Sequence, residues 1–307
     1  MRIILFILLF FSLQSNGQII RANPLYRPIA AGTPCSSILD DYPLKVAISL
    51  NRLYCSYSGA SIRVRRSSDD TESDIGFLSS GELDTATLKT FVGANSGYVT
   101  KGYNQGTGGS TYDATQTTAG NQPRIVDAGV VERNGGYVAM RLIDASSVAV
   151  GQYLSLTNWH ADSDVYVYAF TVYTSNNVGF FPYVLGTNPA DKAFLSLHNT
   201  VRQIYTGTIR SSNSVKVSAA QFTDGQMLLR TDLANRTIFE TYKNGTSVIS
   251  ESDNNSNFSM PTNYMIGNNN TAVVTNDFYI FSMLLDNTDQ SANRTAIEGI
   301  LKTYFGL

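Results

Sequence analysis

From Gly136 onward the chain alternates short β-prone runs with polar turns, and this rhythm constrains the fold more than any single motif. The expected strands are Tyr137–Ile143, Tyr153–Leu156, Val165–Tyr173, Gly179–Leu185, Ala193–Leu197, Gln203–Ile209, Ser214–Ser218, Gln226–Asp232, Thr237–Lys243, Thr246–Ser250, Tyr264–Ile266 and Asp277–Leu284. Val165, Val167, Phe170 and Val172 mix alternating with continuous apolar positions, as a central strand does. Lys243-Asn244-Gly245-Thr246 is the clearest hairpin, because Asn-Gly accepts the positive φ angles of a type I′ turn. Many short strands with frequent turn signals predict an all-β sandwich or barrel. Eighteen Tyr and fifteen Phe among abundant Ser, Thr, Asn and Gly suit strands joined by polar loops.

The segment before this series is more varied. Leu50, Leu53 and Tyr54 have helix-like spacing, and Tyr57-Ser58-Gly59-Ala60 reads as a turn in which Gly59 can take a positive φ. Ile62 and Val64 alternate with Arg63 and Arg65, the pattern of a strand buried on one face. Ser67–Ser73 reads as a polar turn, and Ile75–Phe77 as the apolar return. Gly81–Gly93 predicts a short helix with Asp84 near its start. Tyr98–Tyr103 predicts a strand, Asn104–Asp113 a Gly-rich loop, and Arg124–Val126 another strand. The loop is no phosphate cradle: it lacks the Gly-Lys-Ser/Thr ending and no helix follows it. At the end, Thr288 as cap and Asp289 at the positive helix pole predict a helix with Ile297, Ile300, Leu301, Tyr304 and Phe305 on one side and Gly306 closing it.

The first residues have the form of an export signal. Arg2 precedes the apolar run Ile3–Leu13, and Ser15 and Gly17 are the small residues a signal peptidase accepts. The run is shorter than the ~20 apolar residues a membrane-spanning helix needs. Residues 1–17 therefore read as a signal peptide, 18–41 as an extended lead-in with three prolines, and 42–307 as one domain, giving a secreted or cell-surface protein with no membrane span after cleavage. Charged residues make up 15% of the chain, with net charge −2 and no basic stripe, which argues against a nucleic-acid partner.

Export would permit a disulfide between Cys35 and Cys55, and two separate buried thiols are the other reading. Two cysteines and two distant histidines make no zinc site, and no EF-hand spacing appears, although acidic loops leave calcium open. No cofactor is otherwise expected. Trp159 and His160 precede the strongest strand, and with Tyr166 and Tyr168 they are the candidate ligand-binding residues: a Trp can stack on a sugar ring or anchor the core. Glu132, Asp162, Asp164, Glu240 and Asp277 are candidate carboxylates, but linear sequence brings no pair together. Arg63, Arg65 and Arg66 with Asp69, Asp70, Glu72 and Asp74 read as a charge network or as an edge strand kept unpaired by charge. Asn-X-Thr triplets begin at Asn235, Asn244 and Asn293.

A family resemblance runs through these residues. Arg52-Leu53-Tyr54, Tyr57-Ser58-Gly59 and Ile62-Arg63-Val64-Arg65-Arg66-Ser67-Ser68-Asp69 resemble the opening of the catalytic domain of α-L-arabinofuranosidase B, glycoside hydrolase family 54. The likeness continues through Asp74-Ile75-Gly76-Phe77, Leu83-Asp84-Thr85, Gly97-Tyr98-Val99-Thr100, Asp113-Ala114-Thr115-Gln116 and Gln122-Pro123-Arg124-Ile125-Val126. The hairpin at Asn244-Gly245 and the closing helix look like the end of a concanavalin A-like lectin or glucanase sandwich. The resemblance implies an all-β, concanavalin A-like jelly-roll sandwich with short peripheral helices and a C-terminal helix. Related chains carry a Trp-Tyr-Asp-Gln-Ser-Gly run where this one has Gly102-Tyr103-Asn104-Gln105-Gly106. The arabinofuranosidases also have adjacent cysteines near the sugar, which are missing here. No catalytic residue transfers. The expectation is an exported carbohydrate-binding or surface adhesion/structural module that meets a polysaccharide or cell-surface glycan. The alternative is an arabinofuranosidase-like hydrolase with an altered site. Leu50–Phe77 is expected to serve as framework rather than as site, and the oligomeric state is left open.

Overall fold

The computed structural model describes residues 38–142, 152–157, 166–175, 183–185, 192–198, 204–209, 214–217, 225–234, 238–252, 263–267 and 278–307. The first strands are β1 (Val46–Ser49), β2 (Ile62–Arg66), β3 (Glu72–Ile75), β4 (Gly97–Gly102), β5 (Ala114–Thr115), β6 (Arg124–Asp127) and β7 (Val130–Val131). A small separate ribbon, β8 (Arg133–Asn134) with β9 (Tyr137–Val138), leads into β10 (Met140–Leu142). The series then runs β11 (Tyr153–Thr157), β12 (Tyr166–Ser175), β13 (Tyr183–Leu185), β14 (Lys192–His198), β15 (Ile204–Ile209) and β16 (Ser214–Val217). It closes with β17 (Gly225–Ala234), β18 (Ile238–Lys243), β19 (Thr246–Ser252), β20 (Asn263–Gly267) and β21 (Phe278–Asp286). Two α-helices accompany them among the described residues, α1 (Thr85–Val92) and α2 (Arg294–Phe305). The rhythm of strands and turns after Gly136 is thus realised nearly run for run, as an all-β sandwich.

Every strand pairing among the described residues is antiparallel. One layer runs β19-β18-β17-β12-β21, with β1 and β10 side by side along the other edge of β21. The second layer runs β3-β2-β4, then through β5 to β11-β20-β13-β14-β15-β16. Also paired with β4, β6 reaches back to the first layer by pairing Arg124 with Arg141. That bridge curls the two layers around one core. The core holds Val46, Ile48, Ile62, Val64, Val99, Leu154, Ile266, Met283 and Leu285, all buried.

The strand period of two explains why β1 and β21 serve two cores. Val46 and Ile48 face the sandwich interior, while Ala47 faces a second cluster with Phe281, Leu284, Phe170, Val172 and α2. In β21 an extra residue at Phe281 breaks the register against β12, where Val172 opposes Ser282 but Tyr173 opposes Ile280. Such a bulge keeps Ile280 and Met283 on the inner face and Phe281 and Leu284 on the outer. Helix α2 covers that outer face with Ile297, Leu301 and Phe305, and Phe305 meets Phe281 at 6.0 Å between ring centres. Burying three large side chains contributes roughly 2 kcal/mol each.

Several local expectations held. Asp84 caps α1 by accepting from the Ala86 and Thr87 N–H groups, and Gly306 closes α2 at φ 66°. In the β18–β19 turn Asn244 has φ 50° and Gly245 φ 86°. Others need correction. Leu50, Leu53 and Tyr54 are buried but not helical, because β1 ends at Ser49 and Asn51 bridges to Glu82. Gly59 does not take a positive φ; it yields space, since a Cβ there would lie 2.5 Å from the Tyr57 hydroxyl. The polar turn stops at Thr71, and Glu72–Ile75 is already strand. Strand β2 is no edge strand: it is paired on both sides, with β3 and β4. Thr288 does not cap α2. Its N–H and hydroxyl bind Asp286, and the helix begins after Asn293. Leu39, in the segment expected to be a lead-in, is buried in the α2-side core.

Candidate functional site

The outer face of the second layer gathers polar and aromatic groups. Strand alternation sends Ile62 and Val64 inward and leaves Arg63 and Arg65 outward. Arg63 sits opposite Asp74 on β3 and Lys101 on β4. Its Nε donates to Asp74 Oδ1 at 2.7 Å and its Nη2 to Oδ2 at 3.0 Å, a two-pronged ion pair. The Tyr103 hydroxyl donates to the same Oδ1 at 2.7 Å. Lys101 Nζ lies 5.1 Å from the Tyr103 ring centre and 3.6 Å from Asp113 Oδ2. One ring, two cations and two carboxylates thus share a patch.

The two carboxylates are in different environments. Arg63 holds Asp74 below the usual carboxylate range, against the opposing effect of burial, with help from the Tyr103 hydroxyl. Burial pushes Asp113 up, opposed by the Asn104 N–H that it accepts at 2.9 Å and by Lys101. Burial also pushes Tyr103 up to about 12, reinforced by its bond to Asp74. Tyr57 rises to about 12 through burial and then through the fields of Asp113 and Asp74. Both phenols are therefore neutral donors at physiological pH, beside an ionised Asp74.

The patch rests on a polar tie beneath it. Buried Asn104 accepts from the Ala47 and Gly106 N–H groups at 2.7 and 2.9 Å and donates to the Lys45 and Gly109 carbonyls at 3.1 and 3.0 Å. Gln105 accepts from the Leu53 N–H and donates to the Ser49 and Asn51 carbonyls. A Cβ on Gly106 would collide with the Leu44 carbonyl, so the chain crosses there as glycine. The segment Gly102–Gly106, which departs from the related Trp-Tyr-Asp-Gln-Ser-Gly run, fastens β1 and the Gly-rich loop to the end of β4.

Beyond Arg63 the arginine row continues as the expected charge network. Arg65 donates to Gln122 and Asp70 and lies 5.1 Å from the Tyr98 ring centre. Arg66 pairs with Asp69 and donates to the Phe91 carbonyl.

Of the ligand-binding candidates read from the sequence, Trp159 and His160 lie outside the described residues, and so do the carboxylates Asp162, Asp164 and Asp277. Tyr166 and Tyr168 lie on β12, in register with Ala234 and Asp232 on β17. Glu132 is held by Arg124 at 2.7 Å and Arg141 at 3.4 Å. Glu240 is held by Arg294 at 3.0 Å and accepts from the Tyr242 hydroxyl. The grouping of Tyr57, Asp74, Tyr103 and Asp113 escaped the sequence reading. Its one sequence signal was that Arg63, Asp74, Lys101 and Tyr103 fall on outward positions or at the ends of neighbouring strands. Cys55 is disulfide-bonded, and Cys35, the chain's other cysteine, lies outside the described residues. Among the described residues no three His, Cys, Asp or Glu side chains converge as metal ligands. No helix among them is long and apolar enough to cross a membrane.

Layer order, antiparallel pairing and a core curled between two sheets define a jelly-roll β-sandwich. Within that class the chain resembles the catalytic domain of α-L-arabinofuranosidase B, whose family profile matches residues 29–177. Three solved structures share the fold at 14% identity, each covering 86% of this chain. One is a GH54 α-L-arabinofuranosidase soaked with a cyclic sulfate inhibitor (TM-score 0.59). Another is a Glu-to-Gln variant of a GH54 α-L-arabinofuranosidase soaked with 4-nitrophenyl α-L-arabinofuranoside (0.60). The third is an arabinofuranosidase in complex with arabinofuranosyl-α-1,2-xylobiose (0.61). The match spans 64% of the length of those chains. No curated protein matches.

Proposed function

We propose that the chain is an exported carbohydrate-binding β-sandwich that holds a polysaccharide or cell-surface glycan without cleaving it. The observation that carries this reading is the patch around Tyr103. There a half-exposed ring stands beside planar, charged hydrogen-bonding groups whose positions are fixed by one another. A sugar offers an apolar ring face and a fringe of hydroxyls, and such a patch can meet both. Of the candidate carboxylates read from the sequence, the two among the described residues, Glu132 and Glu240, are each engaged by arginine, whereas a glycosidase must present two carboxylates to the scissile bond. A glycan array probed with the mature chain and with Tyr103→Ala tests the reading. The expected result is binding to at least one glycan that the variant loses; an array blank for the wild-type chain would remove the carbohydrate reading and leave a structural or adhesive role.

One observation favours a second reading, an arabinofuranosidase-like hydrolase with an altered site. Asp74 and Asp113 flank Tyr103 and have affinities for protons driven in opposite directions, the arrangement that separates an ionised carboxylate from a protonated one. Turnover of 4-nitrophenyl α-L-arabinofuranoside that disappears in both Asp74→Asn and Asp113→Asn would establish it. Absence of turnover in the wild-type chain would remove it.

A further inference from the structure

A cleft of 280 Å³ lies between the β18–β19 hairpin and α2, lined by Tyr242, Gly245, Arg294, Thr295, Glu298, Gly299 and Lys302. It is formed by different elements from the Tyr103 patch. We infer that this cleft is a second subsite, shaped for one neutral sugar ring; the inference rests on the carbohydrate-binding reading. The volume lies just below the usual range for small-molecule sites, which suits one ring rather than an oligomer.

Two cations, Arg294 and Lys302, and one carboxylate, Glu298, line the cleft, and Glu240 neutralises Arg294 from outside the lining. Arg294 is 3.0 Å from Glu240 and 5.6 Å from the Tyr242 ring centre. Lys302 Nζ and Glu298 Oε2 both approach one point above Gly245, at 3.3 and 3.6 Å from where a Cβ would stand. With Arg294 held by Glu240, Lys302 faces Glu298 alone, which leaves the cleft without the free pair of cations that a phosphate or uronate site would use. Hydroxyl groups both donate and accept, so a neutral sugar can use the Lys302 ammonium, the Thr295 hydroxyl and the Glu298 carboxylate together.

The two glycines keep the cleft open. Gly245 occupies the turn at φ 86°, where a side chain would be strained. Gly299 sits inside α2, where glycine is among the least helix-favouring residues. A Cβ there would meet nothing within 4 Å, so packing does not require the glycine. Its effect on this surface is to leave room beside Thr295 and Lys302.

The full mature chain, Gly299→Leu and Lys302→Ala should be titrated by NMR with methyl α-L-arabinofuranoside, methyl β-D-xylopyranoside, sodium glucuronate and sodium phosphate. Gly299→Leu partly fills the cleft while favouring the helix, so its melting point should rise, which separates loss of binding from loss of folding. The expected result is that a neutral glycoside shifts cleft resonances, with affinity lowered at least tenfold by Gly299→Leu and at least threefold by Lys302→Ala. Tighter binding of phosphate or glucuronate than of either glycoside would overturn the inference. Unchanged glycoside affinity in Gly299→Leu, with the polysaccharide still retained, would overturn it and leave the proposed function standing. Failure of the wild-type chain to bind any glycan would remove both.

Discussion

Replacing Asn104 tests whether the tie beneath the candidate site is as important as its geometry implies. Asn104→Ala deletes two accepted and two donated hydrogen bonds within 3.1 Å and leaves the buried Ala47 N–H without its side-chain acceptor. At about 1 kcal/mol net per bond, with more for a stranded buried donor, the loss is about 3–5 kcal/mol. A domain of this size shifts by about 2–4 °C per kcal/mol, so the melting point should fall by roughly 10 °C. Asn104→Asp sharpens the test, because it restores the residue of the related motif. The new carboxylate keeps both accepted bonds but turns an oxygen toward the Lys45 and Gly109 carbonyls. Its folded-state pKa should therefore rise above the unfolded value of ~3.9. A raised carboxyl pKa means that the penalty is absent well below pH 4 and grows as pH rises toward the folded-state pKa. Urea denaturation followed by circular dichroism at pH 4 and pH 7 measures both effects. A loss below ~0.5 kcal/mol in Asn104→Ala, or full stability of Asn104→Asp at pH 7, would refute this account of the loop.

Four further outcomes are expected. Absorbance titration at 295 nm should show Tyr54, Tyr57 and Tyr103 ionising near pH 12; Tyr103→Phe should remove one late transition, and titration of every tyrosine by pH 10.5 would contradict the burial of these phenols. For buried Tyr54 a folded pKa raised from 10.0 to about 12 means stability intact below pH 10 and lost between pH 10 and 12, by roughly 2–3 kcal/mol. We propose that Cys55 pairs with Cys35. Non-reducing peptide mapping should recover that linked pair, and Cys35→Ser should cost ~3 kcal/mol, whereas free thiols at both positions would exclude the bond. Leu301→Ala, on the buried face of α2, should cost about 2–5 kcal/mol by denaturant midpoint, and a cost below 1 kcal/mol would mean that α2 is not docked as described.

The fold was more legible in the sequence than the site because its signals are local. Alternation at Ile62–Arg65, the Asn244-Gly245 turn, the Asp84 cap and the Gly306 cap each depend on a few adjacent residues, and each appears where expected. The errors arose where a distant partner decides the outcome. Leu50, Leu53 and Tyr54 have helical spacing, yet they are buried by an irregular run that leaves β1 against β21. Thr288 looks like a cap until Asp286 captures both its N–H and its hydroxyl. β2 carries three charges and looks like an edge, but pairing with β4 depends on a segment some thirty residues away. The candidate site is of this non-local kind. Arg63 and Asp74 lie within the stretch expected to be framework only, while Tyr103 and Asp113 flank a Gly-rich loop that carries no motif. No spacing rule joins them; two strand registers do.

Binding without cleavage is read in one incubation of the mature chain with insoluble arabinoxylan, followed by measurement of both bound protein and released reducing sugar. The chain should sediment with the polysaccharide, Tyr103→Ala should stay in the supernatant, and no reducing sugar should appear above a protein-free control. Sugar release that depends on Asp74 and Asp113, or a wild-type chain that stays in solution with this and every other glycan tried, would contradict a non-cleaving carbohydrate-binding role.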